Sequence, residues 1–201
     1  MVNPLDHPLP ERVSHWINLI NFLILGITGY LIHDPVPGVP LSTVRYLHFI
    51  FMYLLVVNGI VRFYLAIFGK HKDYKNFVLD KRDWRNLIPQ VKYYLFMGKR
   101  PATGKYNPLQ KLAYLMMPVL AALQVITGLI LYLPTKMTAL AEAFGGLGAV
   151  RGIHYVILWL FMALVLAHAY LVFTEAREQF WLMFCGKTGR SGVNETRSKA
   201  A

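Results

Sequence analysis

A single cysteine, Cys185, stands in the whole chain, and that scarcity removes several chemistries at once. No disulfide frame, no Cys-ligated cluster and no C-x-x-C-H attachment of a c-type haem is possible within this polypeptide. Acidic residues are scarce too: 10 Asp and Glu stand against 21 Lys and Arg, for a formal net charge of +11. In a soluble protein that excess would point to nucleic acid. Here the cations sit beside long apolar runs, so they read as a topology signal and nucleic acid is set aside as a partner.

What the chain has in plenty is apolar residues, 56% of its 201. Four runs, at about 16–32, 46–68, 112–133 and 153–174, are each long enough to cross roughly 30 Å of hydrocarbon. The expected fold is therefore all-α, a polytopic membrane protein with a four-transmembrane-helix bundle over 1–185 and a polar tail over 186–201. The first run has only Arg12 as a basic flank, beside Asp6 and Glu11, and no small-x-small pattern follows Tyr30. It reads as a retained helix rather than a signal peptide.

Charge orients the spans. The 69–111 connection holds Lys70, Lys72, Lys75, Lys81, Arg82, Arg85, Lys92, Lys99, Arg100, Lys105 and Lys111, and the tail holds Arg177, Lys187, Arg190, Arg197 and Lys199. The opposite side has only Arg45, Lys136 and Arg151. The positive-inside rule puts that connection and both termini in the cytoplasm, with the protein in the cytoplasmic (inner) membrane. Within the connection, DWRNLIPQVKYYLFMGKRP reads either as an amphipathic interfacial helix broken around Pro89 or as a solvated basic loop. A short helix is expected around 137–143, Pro118 is expected to kink the third span, and that span, lacking histidine, reads as scaffold.

The histidines carry the chemistry. His154 and His168 lie fourteen residues apart on one span, which is four turns and about 21 Å of rise on one face. His15 opens an inside-to-outside span and so shares the cytoplasmic depth of His168. His48 opens an outside-to-inside span, as His154 does, and both lie at the outer depth. Ionisable groups at such positions are costly and mark function. Two layers of two imidazoles suit two non-covalent b-type haems, whereas zinc would gather its ligands at one level. Arg12, Arg45 and Arg151 each precede a histidine by three residues, on the same face, where a guanidinium matches a haem propionate. Arg62, fourteen residues after His48, either snorkels to lipid or pairs with an anionic ligand group. His33 is a confounder, taken as a loop residue beside Asp34, and His7 and His71 read as solvated. With imidazole at both axial positions, the expected work is electron transfer.

These residues, R-x-x-H-W at 12–16, R-x-x-H at 45–48, KYNPLQK at 105–111 and His154 with His168 followed by Ala169-Tyr170, resemble the dihaem cytochrome b subunits of nickel-iron hydrogenases, formate dehydrogenases (gamma subunit) and thiosulfate reductases. The resemblance covers about 10–180. It implies a subunit that carries electrons between a partner iron–sulfur subunit, with its hydrogenase or formate dehydrogenase catalytic subunit, and menaquinone. It also implies a quinone site at Asn107, Gln110, Lys111 and His168, beside which the plain reading of Asn107-Pro108 is a helix start. Alternatives are a free-standing cytochrome b561-type oxidoreductase, a quinol-oxidising subunit of a thiosulfate or polysulfide reductase, and a haem-free membrane anchor.

Overall fold

The computed structural model describes residues 8–68, 78–103, 107–175 and 177–186. His7, His71, Lys105, Tyr106 and the tail from 187 lie outside the described residues. The described chain is helical, in the order α1 (Leu9–His33), α2 (Leu41–Phe68), α3 (Lys81–Tyr94), α4 (Pro108–Tyr132), α5 (Thr138–Ala143), α6 (Gly146–Glu175) and α7 (Arg177–Cys185). Four of these, α1, α2, α4 and α6, are long and apolar enough to cross a membrane. The protein is a multi-pass membrane protein. Each of these four begins several residues before the apolar run that revealed it. Hydropathy registers only the lipid-facing part, while the turns before it, such as 41–45 of α2, are helical as well.

Local chemistry explains the ends. Pro10 lies in the first turn of α1, where no amide hydrogen bond is lost, and Glu11 favours the positive end of the dipole. Asp80 and Asp83 form a capping box at α3, and Asn107 and Gln110 form another at α4, with Pro108 in its first turn. Helix α3 closes in a Schellman arrangement, with Phe96 N–H to Tyr93 O at 3.0 Å and Met97 N–H to Lys92 O at 2.8 Å. The left-handed residue there is Phe96, at φ 59°, not glycine. That costs about 1–2 kcal/mol.

The chain divides into two compact units, Met1–Leu65 with Leu158–Ala201, and Ala66–Ile157. In the first, Asn58 of α2 donates to Ser14 O at 2.9 Å and to Asn18 Oδ1 at 2.7 Å on α1. Phe22 stacks on Phe161, with centroids 5.2 Å apart, and Gly26 lies against Leu158 and Met162. In the second, α3 packs on α4, and Ile130, Ala141 and Val150 form a small core with Leu131, Met137 and Phe144. Large apolar side chains such as Ile27, Val57, Ile60 and Leu166 are exposed along the spans, where the surrounding solvent is hydrocarbon.

Two expectations change. Helix α3 runs through Pro89 to Tyr94 without a break; Pro89 is exposed, so the carbonyl that loses its partner can turn to solvent. His33 is the last residue of α1 rather than part of the loop, and it is exposed at the helix end that favours a cation. The expected outer helix is present as α5.

Helix α3 is amphipathic. Trp84, Ile88, Val91 and Leu95 form an exposed apolar stripe. Asp83 and Gln90 are buried, and Asp83 pairs with Lys111 at 2.7 Å. Burial alone would raise the Asp83 carboxyl. The Asp80 backbone N–H, then the hydrogen bond and charge of Lys111, outweigh it and hold the group below the ordinary aspartate value. A carboxyl depressed in the folded state stabilises it above about pH 4, and the contribution is lost as pH falls through the lowered value. Intrinsically corrected amide exchange over 81–94 is expected to accelerate below about pH 4 in the native protein. In D83N, which loses the charge pair at a cost of about 1–3 kcal/mol, exchange is expected to be fast already at neutral pH and to lack that acid step.

Candidate functional site

Unit one holds the first histidine pair. His15 sits on α1 between Ser14 and Asn18, the two residues that Asn58 of α2 fastens, so its height is set by that amide. The His15 and His168 rings have centroids 6.1 Å apart at an interplanar angle of 57°. An imidazole nitrogen bonds a transition metal at roughly 2.0–2.1 Å, which puts the centroids of two trans rings about 6 Å apart. The donor set and its spacing therefore fit axial ligation of one haem iron. Among the described residues no three of His, Cys, Asp and Glu gather as a metal group, so a tetrahedral site has no ligand set there.

The same end of α1 holds α7. Arg12 donates from Nε to Met183 O at 3.0 Å and from Nη2 to Phe184 O at 2.9 Å, and Trp16 Nε1 donates to Met183 O at 3.1 Å. Trp16 also meets Phe184 edge-on, with centroids 5.6 Å apart. Gly186, at φ 73°, ends α7 directly beneath the guanidinium, where a Cβ would collide with it. A helix C-terminus presents unpaired carbonyls and partial negative charge, so it attracts a guanidinium as a carboxylate does. Arg12 was expected at a propionate and is found on these carbonyls.

His48, also in unit one, meets α1 at a Thr-Gly step. Thr28 Oγ1 is 2.9 Å from His48 Nδ1, and a Cβ on Gly29 would stand 3.5 Å from His48 Cε1. Unit two repeats the arrangement on α4 and α6. Thr127 Oγ1 is 2.9 Å from His154 Nδ1, a Cβ on Gly128 would stand 3.3 Å from His154 Cε1, and Gln124 Nε2 is 3.2 Å from His154 Nε2. Helix α4, taken from its sequence as scaffold, thus orients a histidine. Thr28, Asn18 and Asn58 carry no motif that ties them to a histidine. The one available signal was that a hydroxyl or amide inside an apolar span must find a partner.

Arg45 and Arg151 are exposed in the first turns preceding their histidines, and Arg62 is half-buried on α2. At the start of α4, Asn107 caps the helix and donates from Nδ2 to Tyr94 OH at 2.9 Å. Gln110 completes the capping box, and Lys111 Nζ binds Asp83. These three candidates for a quinone site share one end of the α3–α4 pair and carry structural duties there. Gln90, fully buried on α3, has neither amide atom hydrogen-bonded among the described residues.

Comparison with known proteins follows the same direction. The family model described as prokaryotic cytochrome b561 matches residues 6–186. A probable Ni/Fe-hydrogenase B-type cytochrome subunit of Azotobacter vinelandii is 30% identical over 190 residues, covering 83% of this chain and 78% of the relative. A probable Ni/Fe-hydrogenase 1 B-type cytochrome subunit of Escherichia coli (strain K12) is 25% identical over 189 residues, covering 83% and 80%. A putative protein-methionine-sulfoxide reductase subunit YedZ1 of Azospira oryzae is 29% identical over 179 residues, covering 83% and 89%.

The two Thr-Gly steps differ in how much room they leave. The Cβ of G29A would make an ordinary contact at 3.5 Å, whereas that of G128A, at 3.3 Å, displaces the His154 ring. G29A is expected to keep the native level of bound haem per polypeptide. G128A is expected to lower it or shift its visible spectrum, and G128V to do so strongly. Absorbance of the purified variants, normalised to protein, measures this.

Proposed function

The chain belongs to the prokaryotic cytochrome b561 family, and on that footing we propose that it is the dihaem electron-transfer subunit of a respiratory hydrogenase, linking a partner iron–sulfur subunit to a membrane quinone. The observation that carries the proposal is the His15–His168 pair, whose 6.1 Å separation suits two axial imidazoles on one iron. By their depth along the spans as the sequence gives it, His48 and His154 would hold a second haem.

Haem b, when bound, supplies one-electron carriage. The protein's own residues decide how that is used. Two imidazoles per iron leave no position for oxygen or substrate, so metal-centred catalysis is disfavoured and transfer remains. All four histidines are half-buried, and Arg45, Arg151 and Arg62 would supply positive charge for propionates. At the α4 start, Asn107, Gln110 and Lys111 carry amide and ammonium hydrogens that a ligand could use. Quinone carbonyls accept such hydrogens, which supports a quinone, menaquinone in the family resembled, and the resemblance adds His168 to its site. The hydrogenase names among the relatives favour that partner over formate dehydrogenase or thiosulfate reductase. His48 with His154 and His15 with His168 would hold the two carriers at opposite depths, between the partner subunit and the quinone.

The Azospira relative favours a second reading, in which the same two haems carry electrons from quinol outward to a methionine-sulfoxide reductase. Purification from native membranes separates the two. A nickel-containing hydrogenase that copurifies, and hydrogen that reduces the haem bands in the complex, supports the first reading; a copurifying methionine-sulfoxide reductase, with bands indifferent to hydrogen, refutes it. H168A is expected to halve the haem per polypeptide and abolish quinone reactivity while leaving a b-type band. Retention of full haem content in that variant sinks the pairing.

A further inference from the structure

Two ring nitrogens are available on each imidazole, and something must decide which one faces the iron. Thr28 Oγ1 lies 2.6 Å from Ile24 O and 2.9 Å from His48 Nδ1. Thr127 Oγ1 lies 2.7 Å from Leu123 O and 2.9 Å from His154 Nδ1. A hydroxyl has one proton and a carbonyl can only accept, so each threonine gives its proton to the carbonyl four residues back. Toward the histidine each oxygen is then an acceptor, and the proton in that bond belongs to Nδ1. The neutral ring is left with its lone pair on Nε2. At His154 the Gln124 amide nitrogen, 3.2 Å from Nε2, donates to that same lone pair, so the Gln124 side chain would have to turn aside for Nε2 to bind iron.

We propose that Thr28 and Thr127 are positioning residues that hold His48 and His154 as Nδ1–H tautomers, with Nε2 presented to haem iron. The device occurs twice with the same parts. Ile27-Thr28-Gly29 on α1 recurs as Ile126-Thr127-Gly128 on α4, and Arg45-x-x-His48 on α2 recurs as Arg151-x-x-His154 on α6. In each case the glycine after the threonine brings helix backbone against Cε1 of the ring that the threonine binds. A hydrogen bond from Nδ1–H also makes the imidazole a stronger donor through Nε2, which favours ferric over ferrous iron.

The inference rests on the two-haem reading, and the test keeps the two apart. Full-length protein is purified as T28V, T28S, T127V and T127S, and each variant is followed by potentiometric titration of the haem bands and by low-temperature electron paramagnetic resonance. Valine keeps the shape and removes the acceptor; serine restores it. The valine variants are expected to raise the midpoint potential of one haem and move its low-spin ferric signal, leaving the other haem as an internal control. The serine variants are expected to return both readouts to native values. Loss of that haem in the valine variants with recovery in the serine variants supports the proposal equally. Native potentials and signals in T28V and T127V overturn it, and so does equal loss of haem from the valine and serine variants. A native protein that binds one haem refutes the two-haem reading before any variant is compared.

Discussion

A polar group inside a membrane span cannot turn to water, so each one must be answered by another helix or by its own backbone. That constraint does more to organise this protein than apolar burial does. The spans leave many of their large side chains exposed, and in lipid such surfaces gain little by meeting one another. What joins helix to helix is instead the Asn58 bridge to Ser14 and Asn18, the two threonine–histidine bonds, and the close approach allowed by Gly26, Gly29 and Gly128. Each fixes a rotation and a height as well as an attachment. Because Ser14 and Asn18 flank His15, the bond that fastens α2 to α1 also holds a haem-ligand candidate at its depth.

The same constraint explains which parts of the site are visible in the sequence. Depth is a property of one helix, so the spans and the fourteen-residue spacing could be read from residue order alone. Partnership is a property of two helices. Thr28 in its apolar surroundings looks like any tolerated threonine, and only the arrival of His48 beside it gives it a role. Arg12 is the converse case. Its R-x-x-H spacing suggested a carboxylate, but the C-terminal carbonyls of α7 offer the same partial charge and reach it first. Nothing at residue 12 announces residues 183 and 184. Pro89 misleads for a simpler reason: a proline ends a helix when its freed carbonyl is trapped, and on an exposed surface it is not.

The connection between the second and third spans combines two opposite demands. Its helix α3 shows lipid-sized residues, Trp84, Ile88, Val91 and Leu95, on one side and buries Asp83 and Gln90 on the other. A stripe of that kind beside lysines and arginines suits the membrane interface, where apolar side chains enter the acyl boundary and cations meet headgroups. Phe96 fits the same account. A glycine would occupy its left-handed position more cheaply, yet a large aromatic stands there, almost fully exposed, at the end of the apolar stripe. The strain is tolerable because the Schellman bonds over-determine the turn.

Recruiting the start of α4 for a ligand therefore has a definable cost, which decides how it can be used. Releasing Asn107 Oδ1 from the Gln110 amide would forfeit a helix cap worth about 0.5–2 kcal/mol. Breaking Lys111 from Asp83 would leave a carboxylate that is already buried without its cation, at a cost of several kcal/mol. A bound molecule is thus best accommodated by amide and ammonium hydrogens beyond those the cap and the ion pair consume, with both structural motifs left intact. Only an acceptor can use such hydrogens. A carbonyl oxygen meets that condition, and so does a hydroxyl oxygen, so the cap and the ion pair constrain where a ligand's acceptor can sit.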